Sequence, residues 1–461
     1  MRFEEDFLGK AELPEDAYYG VQTARAIENF DISGVSVDPD IIHAMAEVKK
    51  AAAITNRNAG FLKKDKADAI IRACDEILAG HFSDQFRTDS LQGGAGTSVN
   101  MNVNEVIASR ASELLGGRRG DRRTVHPLDD VNLHQSTNDV FPTAVRIAAI
   151  RKLKTVSDAF AVFQTALQEK EREFSNVLKL GRTEMQDAVP VTLGQEFGAW
   201  AQAVSRDRWR LYKSEERLRQ VGLGGTAVGT GINAPREYVF NVTENLRDLT
   251  GIGLSRAEYM MDPIQNCDVF CEVSGLLKAS AVTLAKIAGD LRLLSSGPRG
   301  GLRELLLPPL QEGSSIMPGK VNPVMTEAVS EAAFEIMADD YAITLASASG
   351  QLELNAFLPL IAKHLMNQLG LLTRILPLFT EKCIKGIRAD TEGIRRNLIS
   401  STAFVPVLSP LLGYDTASEL AKEALSAGKD IREVVLEKDL MDEKTLEGLF
   451  DPSRVTSPQD E

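Results

Sequence analysis

The segment Gly313-Ser314-Ser315-Ile316-Met317-Pro318-Gly319-Lys320-Val321-Asn322-Pro323 places two hydroxyls, an ammonium and a carboxamide in one short loop. Its glycines let the backbone bend and approach a ligand closely. Such a loop suits a small dianion. A serine held beside a lysine and free backbone amides has its oxyanion stabilised, and an oxyanion of that kind can take a proton from carbon. Proline-free stretches rich in Ala, Leu, Glu, Lys and Arg lie on both sides, between Pro263 and Pro298 and between Pro323 and Pro359. The intervals from Pro142 to Pro190 and from Pro190 to Pro235 read the same way, so the chain is predicted to be mainly α with long helices.

Periodicity supports this. Ile147, Ile150, Leu153, Val156, Phe160, Phe163 and Leu167 recur at spacings of three and four and form one apolar stripe, with Lys152, Lys154, Glu169, Lys170 and Glu171 on other faces. Val269, Val273, Leu276, Leu277, Ala281, Leu284, Ile287 and Leu291 cover a wider arc, as in helices that pack on several neighbours, including those of other subunits. Residues 1–138 read as an N-terminal, mostly helical domain, 139–391 as a central bundle of long helices, and 392–461 as a small C-terminal helical domain. The tail from Asp451 to Glu461 reads as loosely ordered.

The 461 residues, 43% hydrophobic and 25% charged, are those of an ordinary globular protein. With 52 Lys plus Arg against 65 Asp plus Glu, the net charge of -13 disfavours broad binding to nucleic acid or anionic membranes. The run Gly116-Gly117-Arg118-Arg119-Gly120-Asp121-Arg122-Arg123 reads as a solvated loop. The acidic start Met1-Arg2-Phe3-Glu4-Glu5-Asp6 is neither a secretory signal nor a transit peptide, and the longest uncharged run, Asn397 to Tyr414, carries Pro406 and Pro410. A cytoplasmic protein without membrane contact is expected. Cys74, Cys267, Cys271 and Cys383 are scattered and read as reduced, buried thiols, and neither they nor the histidines have metal-site spacing. Gly222-Leu223-Gly224-Gly225-Thr226-Ala227 fits a GxGxxA pattern, but a charged helical stretch rather than an apolar strand precedes it, so it reads as a turn between helices.

Three further polar clusters join the opening loop: Gly93 to Glu105, Asn132 to Asp139, and Gly181 to Pro190. Each sets hydroxyls and carboxamides beside a glycine turn or a helix start, where free amides favour anions. Each alone reads as a cap or turn; four together favour a shared site. His134, beside the second cluster, reads as a satisfied structural residue.

These segments, in this order, closely resemble the aspartase/fumarase superfamily, whose signature the opening loop matches residue for residue, and the resemblance runs from Pro14-Glu15-Asp16-Ala17-Tyr18-Tyr19-Gly20-Val21-Gln22-Thr23 into the C-terminal region. The resemblance implies a three-domain helical subunit and a homotetramer around a core of twenty long helices, with each active site shared by three subunits. It implies that Ser314 is the base, acting as an oxyanion on a flexible loop. Thr97, Ser136, Thr137 and Ser315 would cradle the β-carboxylate, Lys320 and Asn322 would hold the other carboxylate, and Asn138 and Thr183 would face the leaving group. Glu327 falls where the family has a supporting carboxylate. No organic cofactor is implied; a divalent cation activates some members, and no ligand cluster here assigns one.

Three details favour release of ammonia from L-aspartate over release of water from L-malate: Thr137 where water-releasing members carry a second serine, the form GGAGTSVN at Gly93 to Asn100, and Asp187-Ala188-Val189-Pro190. Glu184 stands where those members place a histidine after Arg-Thr. A carboxylate there suits an ammonium and penalises a neutral hydroxyl. A salt bridge from Glu184 to Arg182 or to a neighbouring subunit is the competing reading. A non-catalytic structural relative is the remaining alternative, and the intact Ser314, Lys320 and Asn322 argue against it.

Overall fold

The computed structural model describes residues 1–457. The elements run β1 (Arg2–Asp6), β2 (Gly9–Leu13), α1 (Val21–Asn29), α2 (Pro39–Asn58), α3 (Lys64–Leu78), α4 (Thr97–Leu114), α5 (Thr137–Glu173), β3 (Leu178–Thr183), β4 (Gln186–Thr192), α6 (Leu193–Leu218), α7 (Arg236–Thr250), α8 (Asp262–Gln265), α9 (Asp268–Leu294), α10 (Val324–Ala348) and α11 (Leu358–Lys382). Six short helices follow: α12 (Thr391–Ile399), α13 (Val405–Leu412), α14 (Tyr414–Ala427), α15 (Ile431–Glu437), α16 (Glu443–Leu449) and α17 (Pro452–Val455). The β-structure consists of two-stranded pieces, among them the antiparallel pairs β1–β2 and β3–β4. The expected mainly α architecture is therefore present.

The chain forms two compact units. The first comprises Met1–Ser157, Arg210–Lys278 and Glu335–Leu371. In it α2 packs on α3, α4 and α7, and its alanines 44, 46, 51 and 52 are fully buried, which brings neighbouring helices close. The start of α1 is tied to α4 by Glu105, whose buried carboxylate accepts the backbone N–H groups of Gly20, Gln22 and Thr23 at 2.9 to 3.1 Å. Those are amides that the first turn of a helix cannot satisfy itself. Gly96 caps α4 with φ +97°, and a Cβ there would lie 2.4 Å from the Phe141 ring, so glycine is required on both counts.

The second unit comprises Asp158–Trp209, Ala279–Phe334 and Leu372–Glu461. The short C-terminal helices close over a core that includes Leu398, Phe404, Leu408, Leu420, Val434, Val435 and Leu446, with the Phe404 and Phe450 rings edge to face at 4.1 Å. The periodic stretches 417–425 and 431–436 lie in α14 and α15 as expected. The expectation of a loose tail needs correction: α17 is helical, and Gln195 Nε2 donates to the Thr456 carbonyl at 2.9 Å. Its last four positions, 458–461, lie outside the described residues.

All seven residues of the α5 stripe are buried. The helix starts earlier than the proline reading suggested, at Thr137, with Pro142 inside it. The ring forfeits one helical hydrogen bond, which the packing of Val140, Phe141, Ala144 and Val145 outweighs.

Candidate active site

In the first unit, Thr97, Ser136 and Thr137 line one cavity of about 660 Å³, together with Asn100, Asn132 and His134. Thr97 opens α4 and Thr137 opens α5, so two helix N-termini supply the hydroxyls. Ser136 caps α5: its Oγ accepts the Asn138 N–H at 3.2 Å, and Asp139 Oδ1 accepts the Ser136 N–H at 3.0 Å, a reciprocal capping box. Asn138 Nδ2 donates to the Ala227 carbonyl at 2.8 Å, which ties it to the Gly222–Ala227 turn. That segment is the turn expected of it: only a two-residue strand, Gln220–Val221, lies between it and the long helix α6, too short for the strand of a dinucleotide fold.

Sequence reasoning missed the charges beneath this cavity. Asp139 is fully buried and its second oxygen accepts the N–H groups of Gly224 and Thr226 at 3.1 and 3.0 Å. Burial raises its carboxyl to about 6 against these stabilising donors. Lys49, on α2, is also fully buried, and burial lowers its ammonium to about 7. Lys49 Nζ donates to Asn132 Oδ1 at 2.8 Å, and Asn100 Nδ2 donates to Thr137 Oγ1 at 3.0 Å. The available signal was Lys49 itself, which with Lys50 interrupts the small and apolar residues Val48, Ala51, Ala52 and Ala53. His134 is a satisfied side chain: its Nδ1 pairs with Asn56 Oδ1 at 2.7 Å, and its ring packs against Phe61 and Tyr238.

The remaining candidates belong to the second unit. Thr183 and Glu184 sit at the tip of the β3–β4 hairpin, whose two turn residues, Glu184 and Met185, have φ of +52° and +66°. A turn of this hand matches the twist of the strands but usually carries Gly or Asn. Two ordinary side chains in that conformation store strain, and such strain concentrates at functional sites. Glu184 is exposed and lines a cavity of about 740 Å³ with Arg182, Glu196, Trp200 and Lys286. The Arg182 guanidinium is committed elsewhere, 2.8 Å from the Glu304 carboxylate, and Glu184 has no ion pair among the described residues. Within this chain, the salt bridge from Glu184 to Arg182 is thus not formed.

The signature loop carries Ser314, the residue expected to act as base. Ser314 Oγ accepts the backbone N–H groups of Ile316 and Met317 at 3.2 and 3.0 Å. Two amide donors aimed at one hydroxyl oxygen favour its anionic form. The loop is closed by the Gly313 N–H on the Lys320 carbonyl at 2.7 Å and by Asn322 Nδ2 on the Gly313 carbonyl at 2.9 Å. A Cβ on Gly313 would lie 2.6 Å from that same Lys320 oxygen. Ser315, Ile316, Met317 and Lys320 face solvent, so the loop is free to meet a ligand. Glu327 stands in the first turn of α10, 3.7 Å from Arg292.

Comparison with known proteins gives the family. Residues 9–338 match a family model described as lyase, and residues 404–457 match the fumarase C C-terminus. The chain belongs to the aspartase/fumarase superfamily of lyases. Among its relatives are the aspartate ammonia-lyase of a Bacillus species, 45% identical over 99% of this chain and 98% of that one, and that of Pseudomonas aeruginosa, 46% identical over 99% and 97%. A Brucella melitensis structure described as fumarate lyase:delta crystallin bound to cobalt superposes with a TM-score of 0.96 at 46% identity, covering 99% of this chain and 100% of that one. The class II fumarase of Schistosoma mansoni superposes with a TM-score of 0.94 at 36% identity over the whole of both chains.

Proposed function

We propose that this chain is an aspartate ammonia-lyase, a carbon–nitrogen lyase that converts L-aspartate reversibly to fumarate and ammonia. The observation that carries the chemistry is the pair of backbone amides on Ser314 Oγ. As an oxyanion, Ser314 removes a proton from the carbon next to the β-carboxylate; the electron pair moves into that carboxylate as an aci-dianion. Thr97, Ser136, Thr137 and Ser315 hold the added charge, and fixed donors of this kind supply several kcal/mol (~3 each) in such sites. Lys320 and Asn322 bind the other carboxylate, Lys320 as a point charge. Collapse of the dianion expels the amine, which Asn138, Thr183 and Glu184 face, and Glu327 supports the signature loop from α10. The steps use side chains and backbone donors, with no organic cofactor.

Preference for an ammonium over a hydroxyl rests on Glu184, an exposed carboxylate with no ion pair among the described residues. The relatives named as aspartate ammonia-lyases support the same choice. In the assembled enzyme three subunits of a homotetramer contribute to each site. Exposed Phe334, Tyr341 and Leu345, spaced seven and four apart along α10, and Trp209 and Tyr212 on α6 support an association of that kind. No helix among the described residues is long and apolar enough to cross a membrane, and the four cysteines are free thiols, in keeping with a cytoplasmic enzyme.

The test is direct. Incubation with L-aspartate and, separately, with L-malate, followed by the ultraviolet absorbance of fumarate, gives turnover of aspartate. Turnover of malate alone makes the protein a class II fumarase, and turnover of neither in an intact oligomer supports a structural role.

A further inference from the structure

Thr137 Oγ1 accepts a hydrogen bond from Asn100 Nδ2 at 3.0 Å, and its own proton has no acceptor among the described residues. Asn100 Nδ2 also donates to Asn132 Oδ1 at 3.3 Å. The same oxygen accepts from Asn104 Nδ2 at 3.2 Å and from Lys49 Nζ at 2.8 Å. A lysine ammonium can only donate, so it dictates which end of the Asn132 amide faces it. Flipping Asn132 would set its NH₂ against three donors, and flipping Asn100 would set its oxygen against the Asn132 oxygen.

The direction of the chain is thus determined from Lys49 outward: ammonium to Asn132, Asn132 oxygen to the Asn100 amide, Asn100 amide to the Thr137 oxygen. Asn132 is held at its other end as well, through Nδ2 to the Gln135 carbonyl at 3.1 Å. Asn100 is 2% exposed and Lys49 fully buried, so water does not compete for these groups. One consequence follows at the cavity wall. With one lone pair engaged by Asn100 and no acceptor for its proton among the described residues, the Thr137 hydroxyl is left to present that proton to the cavity it lines.

We propose that Asn100 and Asn132 are positioning residues that orient the Thr137 hydroxyl as a donor toward a substrate carboxylate, with the direction of the relay set by Lys49. The inference rests on the reading of the cavity as a dicarboxylate site. It adds residues of the cavity wall that act on the substrate through Thr137. A hydroxyl already turned toward the developing charge needs no reorganisation as that charge forms, so the relay acts more on kcat than on KM.

The experiment compares Thr137→Val, Asn100→Leu, their double variant, and the pair Asn132→Leu and Asn132→Asp, with thermal melting and oligomer size recorded for each. Thr137→Val and Asn100→Leu should each lower kcat on the order of 100-fold, with KM moving less than about three-fold. The double variant should be no worse than Thr137→Val alone, because the two act as one unit. Asn132→Leu should lose activity as Asn100→Leu does. Asn132→Asp keeps an acceptor for Lys49 and both amides but gives up the Nδ2 bond to the Gln135 carbonyl, and should recover about ten-fold of the kcat lost in Asn132→Leu.

Losses that multiply in the double variant, or a folded Asn100→Leu enzyme with parental kcat, overturn the proposal. If Asn100→Leu does not fold, the Asn132 pair decides: equal loss in both variants overturns the relay, and rescue by Asp supports it. Failure of the functional reading is separable. If the parent protein turns over malate instead of aspartate, the substrate assignment falls, and the same variants assayed with malate still test the relay, since both substrates present the same carboxylates.

Discussion

Arg182 is bound to Glu304: its guanidinium lies 2.8 Å from a carboxylate that is fully buried, and two residues along the hairpin Glu184 is left without an ionic partner among the described residues. Arg182 thus braces the hairpin whose tip carries Glu184. Replacing Glu184 by Gln removes the negative charge and keeps the shape. The expected result is a 10- to 100-fold fall (roughly) in kcat/KM for L-aspartate, the value of one charge-assisted hydrogen bond. The melting temperature should not move, because the side chain is exposed. An unchanged kcat/KM in steady-state assays would remove Glu184 from substrate recognition.

The Glu304 carboxyl carries a pH signature. Burial pushes it up, but the hydrogen bond from Arg182, the charge of Lys179 at 3.0 Å and the amide of Asn397 outweigh burial and hold it below its ordinary value of 4.5. Its folded value lies below its unfolded value, so the stabilisation is present above about 4.5 and is lost as pH falls through the lowered folded value. Glu304→Gln should cost about 3 to 5 kcal/mol near neutrality, because Arg182 loses its compensating charge. Melting curves of both proteins between neutral and acid pH should converge as pH drops; a constant gap would refute the assignment.

Ser314→Ala deletes the oxygen that the Ile316 and Met317 amides address. Turnover should fall by about 10³-fold or more, as expected when a proton-abstracting group is lost. Oligomer size and melting temperature should be retained, since Ser314 is only half-buried on an exposed loop. Residual activity within ten-fold of the parent (about 1.4 kcal/mol in barrier) would assign the base elsewhere.

The long helices were legible because their apolar residues repeat at the helix period: Ile147 to Leu167 are buried as that period requires. The Ser314 loop was legible because its chemistry is local, with donors, serine and glycines within eleven residues. Lys49 and Asp139 were not, because burial of a charge depends on what packs around it. Lys49 is enclosed only once α2 meets the segment bearing Asn132, 83 residues away. The early start of α5 was hidden for a related reason: Pro142 reads as a breaker, and only the Ser136–Asp139 capping box and the buried Val140 and Phe141 hold the first turn helical. The competition between Glu184 and Glu304 for Arg182 was invisible too, since Glu304 lies 122 residues from Arg182 in the chain.

Lys49→Met separates stability from function. Burial depresses the folded ammonium to about 7 from an unfolded value of 10.5, so the charge is carried at a cost when the protein is folded. For a group whose folded value is lowered, stability is highest above the unfolded value, declines as pH falls from about 10.5 to about 7, and is level below. Methionine fills the same space without a charge and without this slope. Asp139 opposes part of the gain, because it loses the attraction of Lys49. The net expectation is a melting temperature at pH 6 to 7 (roughly the plateau) equal to or above that of the parent, together with a fall in kcat on the order of ten-fold or more as the Asn132 amide loses the ammonium that orients it. A buried charge with no ion pair among the described residues is held at a cost in solvation, so a gain in stability with a loss of turnover marks a charge kept for function. Calorimetry beside steady-state assays decides it: a variant that melts lower and works normally would make Lys49 structural.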